Sequence, residues 1–316
     1  MKELLIYILI FVLSYAGVEL FRRWSLRRNL LDVPNERSSH TIPTPRGGGL
    51  IIVLISLSAY LIYSFSVSGS FSKSYVFGAI LIAAVSWLDD LVSISVVWRF
   101  LIHFIAAGIF ISEAGYFSSL YIPFFQFEET GIFGVILTLV WIVWLTNAYN
   151  FMDGIDGIAG VQAVSAGIGW LLIGKILGFE STAFYGGVLA AASLGFLIHN
   201  WHPAKIFMGD VGSAFLGYSF AVLPLLAKNE SGQAFDLQPI LLIVGILLVW
   251  LFVFDTLWTF ANRLLRKEKV WQAHRSHIYQ KMVINGLSHQ FVTLFYGVIS
   301  ALTVLCLCFF LYQKII

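Results

Sequence analysis

Apolar runs separated by short polar segments recur along the whole chain. Ten of these runs are long enough, or nearly long enough, to cross the hydrocarbon core of a bilayer as helices, which takes about 20 residues each. Because only helices and closed barrels satisfy their backbone groups in lipid, the repeated runs predict an all-α polytopic membrane protein with about ten transmembrane helices. The loops are short, so residues 1–316 are expected to form one domain. The runs cover residues 4–21, 47–66, 75–88, 98–112, 131–146, 155–174, 182–199, 212–227, 238–260 and 290–312.

Composition leads to the same class of protein. Hydrophobic residues make up 59% of the chain and charged residues 11%, whereas a soluble domain carries about 25% charged residues. The mean hydropathy is +0.86. The first apolar run has no small-residue cleavage site and is followed directly by Arg22 and Arg23, which predicts a retained anchor rather than a cleaved signal peptide.

Lys and Arg residues are distributed unevenly between the two sets of loops. If the N-terminus lies outside, fourteen of the nineteen Lys and Arg residues fall on the inner side. Inner loops of membrane proteins carry the excess of these residues. We therefore expect both termini outside, and the segments that look chemical then share the inner face.

The stretch Asn147–Gly160 reads N-A-Y-N-F-M-D-G-I-D-G-I-A-G and is the most unusual in the chain. Carboxylates at the end of a membrane span are costly and are usually functional. A capped polar turn would explain one Asp and one Gly, but not the whole pattern. Two sets recur every third position, namely Asn147, Asn150, Asp153 and Asp156, and Gly154, Gly157 and Gly160.

Two further segments place charge at the same face. Asp89 and Asp90 end one run, and because neighbouring helical residues point about 100° apart, only one need face a ligand. Arg99 or a metal ion would offset their repulsion; a solvated helix end is the alternative. In the first inner loop, Arg37, Arg46 and the glycines of 47–49 suit an anion at a helix N-terminus. A positive inner loop before a glycine-rich helix start is an equal alternative there.

The last two inner loops add an acid and two histidines. Asp210 lies between Gly209 and Gly212, and a helix cap is the simpler interpretation. His274 and His277 are spaced to share a helix face. With no Cys or third His near them in the sequence, we expect a phosphate-binding pair with Arg275 rather than a zinc site.

The inner face thus combines carboxylates that suit Mg²⁺ with cations that suit phosphate. Mg²⁺ in proteins is usually held by one or two carboxylates together with substrate phosphates. Phosphoryl transfer depends mainly on such positioning and charge stabilisation. A site among membrane spans implies that one substrate is a lipid.

From about Leu31 to Gln280 the chain resembles the polyprenyl-phosphate N-acetylhexosamine-1-phosphate transferases, glycosyltransferase family four. The resemblance is carried by P-T-P-R-G-G-G, the D-D pair, N-A-Y-N-F-M-D-G-I-D-G-I-A-G, F-M-G-D-V-G-S and the histidine loop, in that order. It implies that a UDP-N-acetylhexosamine gives its sugar 1-phosphate to undecaprenyl phosphate, with Mg²⁺, releasing UMP. It also implies a bacterial inner membrane, and it leaves a homodimer open.

The resemblance assigns roles by position. It implies that Asp210 and Asn150 bind the metal, that Asp89 acts on the lipid phosphate with Asp90 beside it, and that Phe207 stacks on uracil. The nucleotide pocket would also contain Asp153, Gly154, Asp156 and Asn200. We thus predict catalytic roles for Asp89, Asp90, Asp153, Asp156, His274 and His277, substrate-binding roles for Arg46, Arg99, Asn147, Gly154, Asn200, Phe207 and Arg275, and metal ligation by Asn150 and Asp210.

Two departures from the family pattern narrow the expected branch of the family and its sugar donor. The histidine loop reads H-R-S-H-I-Y-Q, which resembles the O-antigen-initiating branch, whose donors include 6-deoxy sugars. The lysine that peptidoglycan enzymes carry after the Asp pair is missing, which disfavours that branch. A transporter or flippase of lipid-linked sugars is the alternative function, although here the polar residues gather at one face rather than at mid-membrane.

Overall fold

The computed structural model describes residues 2–34, 42–122, 125–127, 129–231, 238–269 and 274–315. Within these ranges the chain forms twelve helices and two short antiparallel hairpins. The hairpins pair β1 (Leu31–Asp32) with β2 (Thr44–Pro45), and β3 (Leu120–Ile122) with β4 (Phe125–Phe127). The helices are α1 (Lys2–Arg27), α2 (Gly49–Ser68), α3 (Lys73–Val92), α4 (Val96–Ala114), α5 (Gly131–Phe151), α6 (Ile158–Leu177), α7 (Glu180–Asn200), α8 (Asp210–Ser231), α9 (Gln238–Leu248), α10 (Trp250–Leu265), α11 (Ile278–Ile284) and α12 (His289–Ile315).

The structure confirms an all-α polytopic membrane protein. Nine described helices are long and apolar enough to cross a bilayer, and α9 with α10 forms a tenth, broken span. Several helices extend beyond the apolar run that predicted them. Helix α3 continues through Asp89 and Asp90, and α5 continues through Asn147 and Asn150. Backbone hydrogen bonds continue a helix whether or not its side chains are apolar, so hydropathy alone marked these ends too early.

The apolar run predicted at residues 238–260 is broken into two helices in the structure. The chain bends there by 80° between Pro239–Leu248 and Trp250–Leu265. At the break, Gln162 Nε2 of α6 donates to the Leu248 carbonyl at 2.8 Å. That bond satisfies a carbonyl that the helix end leaves without an intrahelical partner, which a break within the membrane requires.

Helices α7 and α8 form the centre of the bundle and are its most buried spans. Helix α7 packs between α1 and α6, and α8 packs against α3 and α5. Small residues permit this close packing. A Cβ at Gly186 of α7 would lie 2.9 Å from the Gly167 carbonyl oxygen of α6. Close approach of backbones at small residues is the usual way in which membrane helices associate.

Two distant loops are joined at the end of the bundle that carries the predicted site. Gly48 N–H donates to the Phe207 carbonyl at 3.0 Å, and Gly49 N–H donates to the Met208 carbonyl at 2.9 Å. A Cβ at Gly49 would lie 2.3 Å from Cα of Gly212. These two N–H groups therefore bind the loop before α8, which favours the glycine-rich helix start over an anion site at Gly48 and Gly49.

Candidate functional site

Four side chains from four helix ends form one cluster, and the Arg99 guanidinium is one of them. Arg99, near the start of α4, donates through Nη1 to the Asp89 carboxylate of α3, and the same nitrogen lies 3.0 Å from Asp210 Oδ2 of α8. Asn150, near the end of α5, donates from Nδ2 to Asp210 Oδ2 at 3.0 Å. Because consecutive helices run in opposite directions, these ends all lie at one end of the bundle. We call Asp89, Arg99, Asn150 and Asp210 the Arg99 cluster.

Asp90 points away from that cluster and fixes the helix that carries Asp210. Its two carboxylate oxygens accept hydrogen bonds from the backbone N–H groups of Asp210 and Val211, each at 3.1 Å. The side chain is buried. An acidic group at a helix N-terminus satisfies otherwise unpaired N–H groups and the helix dipole. The adjacent pair thus divides into one acid facing Arg99 and one acid that caps α8.

The Arg99 cluster is open on the side of Asp210. The Asp210 side chain is 29% exposed, compared with 11% for Asp89 and 17% for Arg99. Nearby, burial and the negative charges of Asp210, Asp90 and Asp156 raise the pKa of Asp153 to about 8. Negative charge therefore exceeds positive charge around Asp153, and a divalent cation would offset this excess.

Asp156 faces a different set of partners. His202 Nδ1 lies 2.6 Å from Asp156 Oδ2, and the N–H of Ala204 donates to the same oxygen at 3.1 Å. Burial would raise the pKa of Asp156, but the nearby His289, His202 and the Ala204 N–H hold it below its usual range. Neither histidine was found by sequence reasoning. They lie 46 and 133 residues from Asp156, and no spacing in the sequence connects them.

Two of the predicted amides hydrogen-bond within the protein rather than with the Arg99 cluster. Asn147 is buried in α5, where its Nδ2 is 3.0 Å from His103 Nδ1 and 2.7 Å from the Val143 carbonyl. Asn200 is also buried, and its Oδ1 accepts the Gly157 N–H at 2.9 Å. Asn200 thereby ties the end of α7 to the turn that carries Asp153 and Asp156.

The predicted helix face for His274 and His277 is wrong, because both residues precede α11. Their rings stack with centroids 5.0 Å apart. His277 Nδ1 lies 2.9 Å from Asp255 Oδ1, and the backbone N–H of Ile278 donates to that oxygen at 2.9 Å. Asp255 of α10 therefore caps α11 and orients His277. The sequence showed this acid at the end of a span but gave no sign of its partner.

The remaining predicted residues line the loops around this end. Gly154 leaves room for α11, since a Cβ there would lie 2.1 Å from the Tyr279 hydroxyl oxygen. Phe207 is half-buried in the loop before α8, and Arg275 is half-buried in the loop before α11. Arg46 lies near enough to interact electrostatically with Asp90. Arg37 lies outside the described residues.

Known proteins are similar to this chain over most of its length. Residues 72–228 match the family model described as glycosyl transferase family 4. The chain is 32% identical over 275 residues to the probable undecaprenyl-phosphate N-acetylglucosaminyl 1-phosphate transferase of Bacillus subtilis, covering 85% of this chain and 74% of that protein.

Two other groups of relatives match over a similar extent. The decaprenyl-phosphate N-acetylglucosaminephosphotransferase of Mycolicibacterium smegmatis is 31% identical over 312 residues, covering 88% of this chain and 75% of that protein. The phospho-N-acetylmuramoyl-pentapeptide-transferase of Geobacillus thermodenitrificans is 28% identical over 239 residues, covering 71% and 74%. The names of all three relatives describe the transfer of a phosphorylated sugar unit, and two of them name a polyprenyl phosphate.

Proposed function

We propose that this chain, which belongs to the polyprenyl-phosphate hexosamine-1-phosphate transferase family, transfers an N-acetylhexosamine 1-phosphate, or a 6-deoxy derivative of it, from a UDP-sugar to undecaprenyl phosphate. The products are UMP and a lipid-linked sugar diphosphate. The relatives support transfer of a hexosamine phosphate to a prenyl phosphate. The UDP donor and the 6-deoxy option rest on the motifs of the histidine loop and the nucleotide segment.

The observation that carries this proposal is the position of Arg99 between two carboxylates at helix ends. A guanidinium held in place by Asp89 and Asp210 is pre-oriented before substrate arrives. Phosphoryl transfer brings an anionic acceptor to an anionic diphosphate, and fixed positive charge lowers the cost of that approach. The partial exposure of Asp210 leaves a way for a phosphate to reach the cluster.

The donor atoms of the cluster fit Mg²⁺. Asp210 offers a carboxylate. The side-chain oxygen of Asn150, Oδ1, accepts only one hydrogen bond among the described contacts, from Ser213 Oγ at 3.0 Å. Oxygen donors of this kind are what Mg²⁺ prefers. The raised pKa of Asp153 indicates the negative charge that such an ion would offset. Bound by Asp210 and Asn150, the ion would neutralise charge on the diphosphate.

We favour direct attack of the lipid phosphate. One of its oxygens forms a bond to the sugar-bearing phosphorus, the bond from that phosphorus to the UMP oxygen breaks, and UMP leaves with the electron pair. A phosphate monoester is mostly ionised at neutral pH, since its second pKa is about 6. The acceptor therefore needs little activation by a base. Asp89, held by Arg99 and by the Ile94 N–H, would orient this phosphate or accept its residual proton.

The loops around the cluster suit the nucleotide. Asn200 joins the turn of Asp153 to the loop of Phe207, so a nucleotide bound by one loop would contact the other. Phe207 would stack on uracil, and His274, His277 and Arg275 would face the diphosphate. Asn147 and Asn200 would act by positioning these segments, because their amides are already bonded within the protein.

The test is a reconstituted transfer reaction. Purified protein in lipid nanodiscs receives Mg²⁺, undecaprenyl phosphate and a panel of UDP-sugars that includes 6-deoxy donors. We expect UMP release and a lipid product whose mass identifies the sugar. A flippase would release no UMP, so the absence of UMP with every donor would contradict the proposal. The surface variant Glu180→Gln, at the opposite end of the bundle, serves as the active control.

The same preparation separates direct transfer from a two-step route. In a two-step route an enzyme carboxylate would first bind the sugar phosphate covalently and release UMP. Enzyme mixed with labelled UDP-sugar and Mg²⁺, but no lipid phosphate, should release no burst of UMP and retain no label after denaturation. A burst equal to the enzyme concentration, with label on Asp89 or Asp210, would show that the two-step route operates.

The proposed orientation places the site in the cytoplasm and both termini outside. It rests on the excess of Lys and Arg in the inner loops. In a variant lacking Cys306 and Cys308, a cysteine introduced at Ser276 should be protected from an impermeant thiol reagent in intact cells. One introduced at Ser70 should be labelled. The reverse labelling pattern would overturn the orientation.

A further inference from the structure

A second polar cluster joins three segments near the proposed site. Asp156 lies in the turn between α5 and α6, His202 lies in the loop between α7 and α8, and His289 is the first residue of α12. One donor atom from each residue lies within 4.8 Å of the other two. Among the described residues, this is the group of three His, Cys, Asp or Glu side chains arranged closely enough to hold a metal ion.

The contacts within this group leave one donor unused. His202 Nδ1 lies 2.6 Å from Asp156 Oδ2, which is hydrogen-bond distance. His289 Nδ1 lies 3.6 Å from the same oxygen, which is too far for a hydrogen bond. The His289 residue is only 8% exposed, and its Nδ1 has no hydrogen-bond partner in the described part of the chain. A buried polar atom without a partner is costly and indicates a missing ligand.

We propose that Asp156, His202 and His289 bind one Zn²⁺ ion. Two imidazoles and one carboxylate form a donor set that zinc uses in proteins. Mg²⁺ is a poor fit, since it prefers oxygen ligands in an octahedral arrangement. The proposal concerns a site other than the Arg99 cluster, and it assigns the Asp156 carboxylate to the ion rather than to the nucleotide pocket that the resemblance implies.

The geometry is close to that of a zinc site. With bonds of about 2.0–2.1 Å in a tetrahedron, neighbouring donor atoms are roughly 3.3 Å apart. The two measured separations from Asp156 Oδ2 lie on either side of that value. His202 must therefore move away from Asp156 by less than 1 Å, by the same arithmetic. Its side chain is 39% exposed, which leaves it room to do so and leaves the fourth position accessible to water.

Two side chains of α12 donate hydrogen bonds to the backbone carbonyls of two of the three ligand residues. Thr293 Oγ donates to the Asp156 carbonyl at 2.8 Å, and Gln290 Nε2 donates to the His202 carbonyl at 3.1 Å. These contacts fix the backbone of both ligand residues and thereby limit where their side chains can lie. The ion would therefore link α12 to the loops that carry Asp153 and Phe207.

The test is direct measurement of metal binding by the full-length protein in nanodiscs. After treatment with a chelator, the protein is equilibrated with Zn²⁺, and bound metal is determined by mass spectrometry of the elements. A parallel sample with Co²⁺ reports tetrahedral coordination through its visible absorption. We expect one ion per chain and a tetrahedral cobalt spectrum.

Three matched histidine variants locate the site. His289→Gln and His202→Gln should each lower zinc affinity by at least about 100-fold, beyond the range of outer-contact effects, and should abolish the cobalt spectrum. His274→Gln changes a histidine in the other described pair and should retain both. His202 is half-exposed, so its variant stays informative if His289→Gln fails to fold. Unchanged binding in both cluster variants, or loss only in His274→Gln, would overturn the proposal.

Discussion

Asp210 and Asp156 lie at the same end of the bundle, but their carboxylates have different partners. Asp210 lies beside the Arg99 guanidinium, which stays charged at any physiological pH. Asp156 lies beside two imidazoles, whose nitrogens can give up their protons and bind a metal. The permanent cation suits a site that must hold phosphate, whereas the imidazoles suit a site that holds an ion. These two acids at one end of the bundle thus suit different chemistry because their neighbours differ.

The largest effect is expected when Asp210 loses its charge. Asp210→Asn should lower kcat by at least about 100-fold, the range seen when one charge-stabilising group is removed from an active site. Asp90 still accepts the N–H groups of residues 210 and 211 at the start of α8, so the helix should form. The measurement is UMP release at saturating donor and lipid. Activity within twofold of Glu180→Gln would remove Asp210 from the reaction.

Asp255→Asn tests a third carboxylate, one bonded mainly to the backbone and to a histidine. Its oxygens accept from the N–H groups of Ile278 and Tyr279 and lie beside His277 Nδ1. In the Asn variant the side-chain NH₂ would face one of these N–H donors and could not accept its hydrogen bond. A buried hydrogen-bonding group left without its partner costs about 1–3 kcal/mol. We expect thermal unfolding several degrees lower, measured in nanodiscs.

The control for that variant is Glu3→Gln, whose carboxylate is exposed and bonded to the partly exposed Lys175. Exposed ion pairs are worth little, so its unfolding temperature should barely change. If Asp255→Asn instead unfolds like wild type while its activity is lost, the acid takes part in the reaction and not in capping α11.

Arg99→Lys should have an intermediate effect on the Arg99 cluster. Lysine keeps the positive charge but lacks the planar guanidinium that contacts two carboxylates. Loss of one charged hydrogen bond, worth about 1.5 kcal/mol, corresponds to roughly tenfold in kcat/KM for the lipid phosphate. Arg99→Ala removes the charge and should be slower still. Equal rates in the two variants would show that the charge itself contributes nothing.

The smallest effect is expected at Thr293, which touches the second cluster only through the Asp156 carbonyl. Thr293→Val keeps the shape and removes one hydrogen bond, worth about 1 kcal/mol. We expect zinc affinity to fall by about fivefold, which is the same free energy expressed as a ratio, with little change in transfer rate. A change in rate larger than the change in affinity would argue that this region acts on the reaction and not on the ion.

Hydropathy predicted the class of fold because helix length and apolarity are properties of a local stretch of chain. It did not show the 80° bend within residues 238–260, where Gln162 of another helix bonds to the Leu248 carbonyl. It also placed helix ends too early at Asp89 and Asn147, since polar residues near the membrane surface still continue a helix.

The candidate site was predictable in its residue types more than in its contacts. The sequence indicated polar and acidic residues at one face through two features. These are the spacing of Asn150 and Asp153 and the adjacency of Asp89 and Asp90. Which acid meets which cation depends on the rotation and approach of helices far apart in sequence. Glycine contacts such as Gly49 against Gly212 set that approach, and no single segment encodes it.

The sequence by itself determined a polytopic α-helical protein with its acids and cations at one end, because apolar run length and charge distribution are read directly along the chain. Only the tertiary structure decided that Asp90 caps α8, that Arg99 lies between Asp89 and Asp210, and that Asp156 faces His202 and His289. The physical reason is that hydrogen bonds and ion pairs form within about 3–4 Å, and packing alone brings residues more than a hundred positions apart to that distance.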